Sequence, residues 1–170
     1  DSRLIMITAH RRENLGEPMQ HMFRAIRHVM DEHPDVKAIY PIHMNPVVRE
    51  TANSILGDDD RIHIIEPLEV LDFHNFLSRS YLILTDSGGI QEEAPSLGKP
   101  VLVMRDTTER PEGIAAGTLK LVGTTEDMIY NEFSKLLSDK SEYDKMSKAS
   151  NPYGDGFASK RIADILEEKL

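Results

Sequence analysis

The residues best suited to bind a phosphate group lie in segment 85–94. This stretch reads Thr-Asp-Ser-Gly-Gly-Ile-Gln-Glu-Glu-Ala and is a polar turn that runs into a helical pattern. Gly88 and Gly89 carry no Cβ, so a phosphate can approach the backbone closely, and the free N–H groups of the following helix attract negative charge. Ser87 adds a hydroxyl donor, and Glu93, about one turn past Gly89, can reach a ribose diol. A plain tight turn with an N-cap is the alternative, because the segment is neither a GxGxxG nor a Walker motif.

Basic side chains follow two apolar runs that we interpret as strands. His10, Arg11 and Arg12 come directly after the first run, and Arg110 lies in the loop after the fifth. An acidic protein that holds an anion needs such local donors, and an arginine fork matches two phosphate oxygens. We therefore expect His10 and Arg110 to face one ligand, whereas a solvated charge cluster is the alternative for residues 10–12. Arg11 and Arg12 point in different directions, so at most one of them shares the target of His10.

Two further loops contain candidates whose roles the residues alone leave open. His43 and Asn45 follow the second run, where they bind a ligand or shape the turn before a proline. Phe73 packs against a base or belongs to the core, and Arg105 is expected to form a structural ion pair. The remaining histidines are expected to be mostly structural: His21, His28, His33, His63 and His74. No pair of histidines has the context of a metal motif, so we expect neither a metal nor a cofactor.

Short, nearly continuous apolar runs predict six strands that are covered on both faces. They span residues 4–7, 36–42, 62–65, 81–84, 101–103 and 119–122. Helical patterns lie at 19–30, 47–56, 70–77, 90–97, 128–137, 142–149 and 159–170, with Thr125 as the expected cap of the fifth helix. This alternation predicts an α/β fold with a doubly wound, Rossmann-like parallel sheet and right-handed crossovers. In such folds the ligand lies outside the carboxyl ends of the strands, which is where the polar segments above are found.

The composition limits the kinds of partner. The net charge of −9 argues against nucleic acid, whose phosphate backbone needs a basic face. The chain has no cysteine, which excludes disulfides and thiolate sites and favours a cytoplasmic protein. No apolar run approaches the ~18 residues of a membrane span, so we expect no membrane partner. The 170 residues fit one domain, and a start on a core strand without an initiator methionine predicts an excised fragment.

Six motifs in one order resemble the non-hydrolysing UDP-N-acetylglucosamine 2-epimerases. They are HRRE at 10–13, YPIHMNP at 40–46, TDSGGIQEEAP at 85–95, GKP at 98–100, TTERPE at 107–112 and NPYGDG at 151–156. The resemblance covers essentially the whole chain but only the C-terminal half of such an enzyme. The segment DSGGIQEEAPSLGKP combined with TTERPE is the most specific part of it.

The resemblance implies one half of a glycosyltransferase-B architecture, in which two domains enclose the active site in a cleft. It implies these contacts: the diphosphate with Ser87, Gly88 and Gly89, the phosphates also with Arg110, the ribose with Glu93, the uracil with Phe73, and the pyrophosphate at the reacting face with His10. Some members carry Gln where this chain has Leu68, so a side-chain contact with uracil is not implied there. Arg11 and His43 match positions that hold a second UDP-N-acetylglucosamine, an allosteric activator in bacterial members.

The reaction that the resemblance implies interconverts UDP-N-acetylglucosamine and UDP-N-acetylmannosamine through anti elimination and re-addition of UDP. A base must remove a poorly acidic C2 proton, and the growing charge on the diphosphate must be stabilised. By resemblance the proton-transfer carboxylates belong to an N-terminal catalytic domain that this chain lacks. We therefore expect residues 1–170 to be a single UDP-binding C-terminal domain that cannot epimerise alone. The resemblance also allows a homodimer of the full-length enzyme.

Two other functions remain open at this point. The first is the nucleotide-binding half of a glycosyltransferase with the same architecture, which would share a glutamate on the ribose. The HRRE and TTERPE segments fit the epimerase better. The second is a non-enzymatic module that senses UDP-sugars, which would bind UDP-N-acetylglucosamine tightly and with full sugar selectivity.

Overall fold

Six parallel strands form one sheet in the order β3-β2-β1-β4-β5-β6. The strands are β1 (Arg3–Thr8), β2 (Val36–Pro41), β3 (Ile62–Ile65), β4 (Leu82–Thr85), β5 (Val101–Val103) and β6 (Leu119–Leu121). This order is typical of dinucleotide-binding folds and confirms the doubly wound parallel sheet. The computed structural model describes residues 2–169, so Asp1 and Leu170 lie outside the described chain.

Eight α-helices connect and flank the strands in the described residues. They are α1 (Glu17–Glu32), α2 (Pro46–Leu56), α3 (Val70–Arg79), α4 (Gly88–Glu93), α5 (Pro111–Ala116), α6 (Glu126–Ser138), α7 (Lys140–Ser147) and α8 (Ala158–Lys169). Two 3-10 turns, Arg12–Asn14 and Ala94–Leu97, continue the loop after β1 and the end of α4. No helix among residues 2–169 is long and apolar enough to cross a membrane.

The sheet lies between two hydrophobic cores. Ile5 and Ile7 of β1 point into one core, which α1, α2 and α6 cover, and Met6 points into the other, which α3 and α4 cover. Side chains on neighbouring strand residues alternate in this way because the period of a strand is two residues. Both faces are therefore buried, as is usual for a parallel sheet.

The predicted elements are found with small differences. All six strands have ends within one residue of those predicted. The helix predicted at 90–97 begins earlier and divides, because Pro95 lacks the N–H that would continue the α-helical ladder. Helix α5 was not predicted, and Thr125 occupies the N-cap position of α6 without a side-chain cap hydrogen bond. The helix predicted at 159–170 is α8, except that its last residue lies outside the described chain.

Helix α8 lies on the surface with an apolar stripe in solvent. Every described residue of the helix is exposed, and so is Phe157, which precedes the helix. Ile162, Ile165 and Leu166 are each more than half exposed. Exposed apolar side chains on one face of a helix are typical of a surface that packs against another folded body.

Candidate functional site

The site lies where the chain order of the sheet reverses, between β1 and β4. The chain runs outward from β1 to β3 on one side and from β4 to β6 on the other, which leaves a crevice at the carboxyl ends of the two central strands. The ends of β1 and β4 are tied together by a buried hydrogen bond of 2.5 Å between the hydroxyls of Thr8 and Thr85. The N–H of Asp86 also donates to the carbonyl of Thr8 at 3.0 Å. The loops after these strands therefore meet.

Asp86 fixes the loop that carries His10. Its side chain is fully buried, and its carboxylate accepts the backbone N–H groups of His10 at 3.0 Å and Arg11 at 2.9 Å. The side-chain amide of Asn14 donates to the same oxygen at 3.1 Å. The Arg11 Nε in turn donates to the carbonyl of Asp86 at 3.0 Å. No role was predicted for Asp86, although a carboxylate directly after a buried strand was a signal for one.

Tyr40 supports the same loop from β2. Its buried hydroxyl donates to the carbonyl of Ala9 at 2.5 Å, one residue before His10. Burial, and to a lesser extent the charge of Asp86, raises the pKa of Tyr40. The hydroxyl therefore stays protonated and acts as a donor.

The first turn of α4 begins with Ser87, Gly88 and Gly89. Ser87 is its N-cap residue, and the Ser87 hydroxyl makes no cap hydrogen bond within the described chain. A Cβ placed on Gly88 would lie 2.9 Å from Glu109 Oε1, 3.6 Å from Arg11 Nη2 and 3.9 Å from Arg110 Nη2. Two guanidinium groups from two different loops thus border one glycine. The expected convergence of Arg110 with the glycine turn is seen, and Arg11 lies there as well.

Gln91 holds the loop of Arg110 against α4. Its amide is fully buried, donates to the Ser87 carbonyl at 3.2 Å and accepts the Thr108 hydroxyl at 2.5 Å. The Thr108 oxygen accepts the backbone N–H of Arg110 at 3.1 Å. These contacts fix the position of the Arg110 backbone relative to α4. The sequence analysis did not predict them.

Carboxylates pair with the basic groups of the site. The Arg110 Nε contacts Glu92, which gives Glu92 a role that requires no ligand. Glu109 accepts Arg11 at 3.1 Å and Arg105 at 2.6 Å. A hydrogen bond from its own backbone N–H, together with Arg105, holds the pKa of Glu109 below its ordinary value. Arg105 is buried and forms the structural ion pair that was expected.

Two cavities share the wall formed by His10, His43 and Ser87. The two imidazole rings are stacked, with centroids 5.3 Å apart and planes inclined by 19°. The larger cavity, of about 540 Å³, is also bordered by Arg11, Arg12, Glu13 and Asn45. The smaller, of about 230 Å³, is bordered also by Thr8, Pro41, Ile42, Pro67, Leu68, Phe73 and Ile90. Its apolar lining suits a flat ring, and the larger cavity suits a polar ligand.

Asn45 shapes the turn that positions His43. Its side chain accepts the Val47 N–H at 3.0 Å and caps α2, and its backbone N–H donates to His43 Nδ1 at 3.1 Å. Because Nδ1 is an acceptor in this contact, the hydrogen of a neutral His43 ring belongs on Nε2. Of the two roles considered for Asn45, the structural one is observed.

Phe73 fits both roles considered for it. It is partly buried, packs against the second core and also lines the smaller cavity. Beside it, His74 contacts Glu93 through Nε2 and Oε2 at 3.0 Å. The other oxygen of Glu93 lies 3.7 Å from the position of a Cβ on Gly89. Glu93 therefore lies along the glycine turn, and His74, expected to be structural, is brought to the site.

No metal centre is evident in the described part of the chain. Among residues 2–169, no group of three or more His, Asp or Glu side chains could hold a metal ion. The arrangement instead offers backbone N–H groups, guanidinium and imidazole donors, and one apolar cavity. Together these can bind an anion joined to a flat ring.

Comparison with known proteins shows similarity to one protein family. Its sequence profile, described as UDP-N-acetylglucosamine 2-epimerase, matches residues 1–167. The UDP-N-acetylglucosamine 2-epimerase of Bacillus subtilis is 66% identical over 166 residues, which are 98% of this chain and 44% of that protein. The chain thus spans less than half the length of the curated relatives that it matches.

Solved structures agree with this similarity. The structure of Staphylococcus aureus MnaA with UDP has a TM-score of 0.96 at 58% identity and covers 100% of this chain and 47% of that one. The 2-epimerase of Neisseria meningitidis, bound to UDP-GlcNAc, has a TM-score of 0.93 at 49% identity, with 98% and 45% covered. A glycosyl transferase C-terminal domain from Francisella tularensis has a TM-score of 0.67 at 18% identity, with 89% and 82% covered, which shows the fold alone.

Proposed function

Because the chain belongs to the UDP-N-acetylglucosamine 2-epimerase family, we propose that residues 1–170 are the UDP-binding C-terminal half of such an enzyme. The full-length protein would interconvert UDP-N-acetylglucosamine and UDP-N-acetylmannosamine by eliminating and re-adding UDP. The observation that carries the proposal is the meeting of three loops at Gly88, where Arg11 and Arg110 border the first turn of α4.

The diphosphate binds at Ser87, Gly88 and Gly89 in this proposal. The backbone N–H groups at the start of α4 and the Ser87 hydroxyl supply donors, and Arg110 supplies a planar fork. His10, held by Asp86, lies beside the pyrophosphate at the reacting face. These groups stabilise the charge that grows on the leaving diphosphate, which is the electrostatic part of catalysis.

The nucleoside binds next to the diphosphate. The uracil enters the cavity of about 230 Å³ against Phe73, and Glu93 accepts hydroxyls of the ribose. The position of Glu93 along the glycine turn supports this order, since ribose lies between base and phosphates. Leu68 lines the same cavity with an apolar side chain, so uracil selectivity depends on other groups.

The larger cavity suits a second ligand. Arg11, His43 and Ser87 line its volume of about 540 Å³. We propose that the activating UDP-N-acetylglucosamine implied for Arg11 and His43 binds there. Arg11 also borders Gly88, so it lies between the two ligands in this arrangement.

The base that removes the C2 proton would come from an N-terminal catalytic domain. The four carboxylates around the glycine turn already have partners: Asp86, Glu92, Glu93 and Glu109. The apolar stripe of α8 supports a contact with another folded body. The homodimer of the full-length enzyme and its cytoplasmic location stay predictions.

The experiment that tests this function uses the chain with and without the N-terminal half of a relative. We expect calorimetry to give the affinity order UDP over UMP over uridine, and weak sugar selectivity. We expect no epimerisation by the chain alone and measurable release of 2-acetamidoglucal once the other half is added. Epimerisation by the chain alone would refute the proposal that the proton-transfer groups belong to the N-terminal half. Tight binding with full sugar selectivity would favour a sensing module, and sugar transfer without a glucal would favour a glycosyltransferase.

Arg110→Ala tests the phosphate contact. We expect UDP affinity to fall about 10-fold, the effect of losing one charge-assisted contact, and its dependence on salt to decrease. Uridine affinity should stay unchanged, because uridine has no phosphate. Isothermal titration at two ionic strengths measures both effects.

Arg27→Ala is the matched control for this change. Arg27 and Arg110 have the same side-chain exposure, 29%, and each pairs with carboxylates, but Arg27 lies on α1 away from the glycine turn. The control should leave UDP affinity unchanged. Equal losses for UDP and uridine in Arg110→Ala would exclude a phosphate role.

A further inference from the structure

His74 makes a contact that the roles described so far do not use. It lies on α3 next to Phe73, and its Nε2 is 3.0 Å from Oε2 of Glu93 on α4. The two side chains are 51% and 46% exposed. An exposed pair of this kind adds little to the stability of the fold. Its main effect is therefore on the position of the two side chains.

The contact limits where the Glu93 carboxylate can lie. A cavity of about 190 Å³ adjoins the pair, lined also by Leu77, Ser96 and Leu97, so the carboxylate has room to turn away from the glycine turn. With Oε2 held by His74, the other oxygen stays near Gly89, 3.7 Å from the position of a Cβ there. A glutamate that is free to rotate loses more entropy when it binds a ligand, and holding it in place lowers that loss.

The held carboxylate can still accept two hydroxyls. Each carboxylate oxygen has two lone pairs, so Oε2 can accept from His74 and from a ligand hydroxyl at once, while Oε1 stays open. A vicinal diol presents two adjacent hydroxyl donors that match this arrangement. A ligand without the diol offers Glu93 nothing to bind.

We propose that His74 is a positioning residue that holds Glu93 for the ribose diol, and so sets the preference for ribonucleotides over nucleotides that lack both ribose hydroxyls. The inference rests on the proposed function, in which Glu93 binds the ribose. Helix α3 then serves two adjacent parts of the nucleoside, because Phe73 faces the base cavity and His74 orients the sugar contact.

The test compares UDP with 2′,3′-dideoxy-UDP by calorimetry on the full chain. We expect His74→Ala to lower UDP affinity about 3- to 10-fold, the effect of one hydrogen bond, and to leave dideoxy-UDP affinity unchanged. His74→Gln, whose amide can donate to Glu93, should restore most of the loss. Glu93→Ala should abolish the preference for UDP, and adding His74→Ala to it should have no further effect.

His28→Ala is the matched control. His28 pairs with Glu32 on α1, and the two side chains are 56% and 45% exposed. His28 lines neither the cavity of about 230 Å³ nor the cavity of about 540 Å³. The His28→Ala variant should bind UDP and dideoxy-UDP as the unmodified chain does. The positioning role alone is overturned if Glu93→Ala abolishes the preference while His74→Ala leaves it intact or weakens both ligands equally. If Glu93→Ala keeps the preference, the ribose contact in the proposed function is wrong and the role of His74 is overturned with it.

Discussion

Asp86→Ala is expected to lower the free energy of unfolding by about 3–5 kcal/mol and to abolish measurable UDP binding. The change removes the acceptor of the part-buried N–H groups of His10 and Arg11 and leaves the buried Asn14 amide only a longer contact, 3.4 Å, with the Met104 carbonyl. Each unsatisfied buried donor costs about 1–3 kcal/mol. Because the contacts that remain are the Thr8–Thr85 hydrogen bond and backbone contacts of Asp86, the segment of His10 and Arg11 loses its carboxylate acceptor, and we expect His10 to move from its position beside the glycine turn.

Denaturant unfolding followed by circular dichroism measures the stability, and calorimetry measures UDP binding. Asp139→Ala is the control, because Asp139 also accepts two backbone N–H groups but does so at the exposed start of α7. There water replaces the lost acceptor, and the expected loss is only about 1 kcal/mol. Similar losses for the two variants would show that the buried carboxylate is not what holds the loop.

Gly89→Asp is expected to lower UDP affinity at least ~100-fold and uridine affinity much less, because uridine carries no phosphate for the new carboxylate to repel. A carboxylate ~5 Å from a phosphate, at an effective dielectric constant of ~20, repels it by ~3 kcal/mol. The fold should tolerate the change, because a Cβ at Gly89 has only Glu93 Oε1 within 4 Å, at 3.7 Å. An aspartate in the first turn of a helix also interacts favourably with the helix dipole.

The same substitution separates a phosphate site from an ordinary turn. If Gly88 and Gly89 only form a turn, Gly89→Asp should change stability little, because the favourable helix dipole is offset by repulsion from Glu93, and UDP binding should stay unchanged. Gly89→Asn is the control for side-chain size, since it has the same shape without the charge. We expect it to reduce UDP affinity less than the aspartate does. Calorimetry with UDP and uridine on both variants decides between the two cases.

The sheet could be predicted from the sequence because its strands are covered on both faces. Their apolar runs are nearly continuous, and this pattern fixes both their number and their parallel arrangement. Helix α5 was not predicted because it has only six residues, among them Gly113 and two alanines, and therefore shows no apolar periodicity. Pro111 at its first turn was the only local signal of a helix start.

The site could be predicted at the level of loops but not of contacts. Strand order at the reversal point brings the loops of His10 and Ser87 together, and the motifs identify which side chains they carry. The partners of those side chains come from distant segments, as when Thr108 reaches Gln91 or His74 reaches Glu93. Such contacts depend on side-chain direction in three dimensions, which residue spacing along the chain does not encode.

The pairing of Arg11 and Arg110 with Glu109 and Glu92 has a consequence for which anions the crevice accepts. These glutamates contact the same guanidinium groups that a bound anion would contact, so an anion that binds there must compete with them. We expect a singly charged ion to compete poorly in that exchange, because it replaces only one of the two carboxylates, whereas a diphosphate can contact both guanidinium groups. If the proposed function is correct, chloride and other small anions should therefore weaken UDP binding little.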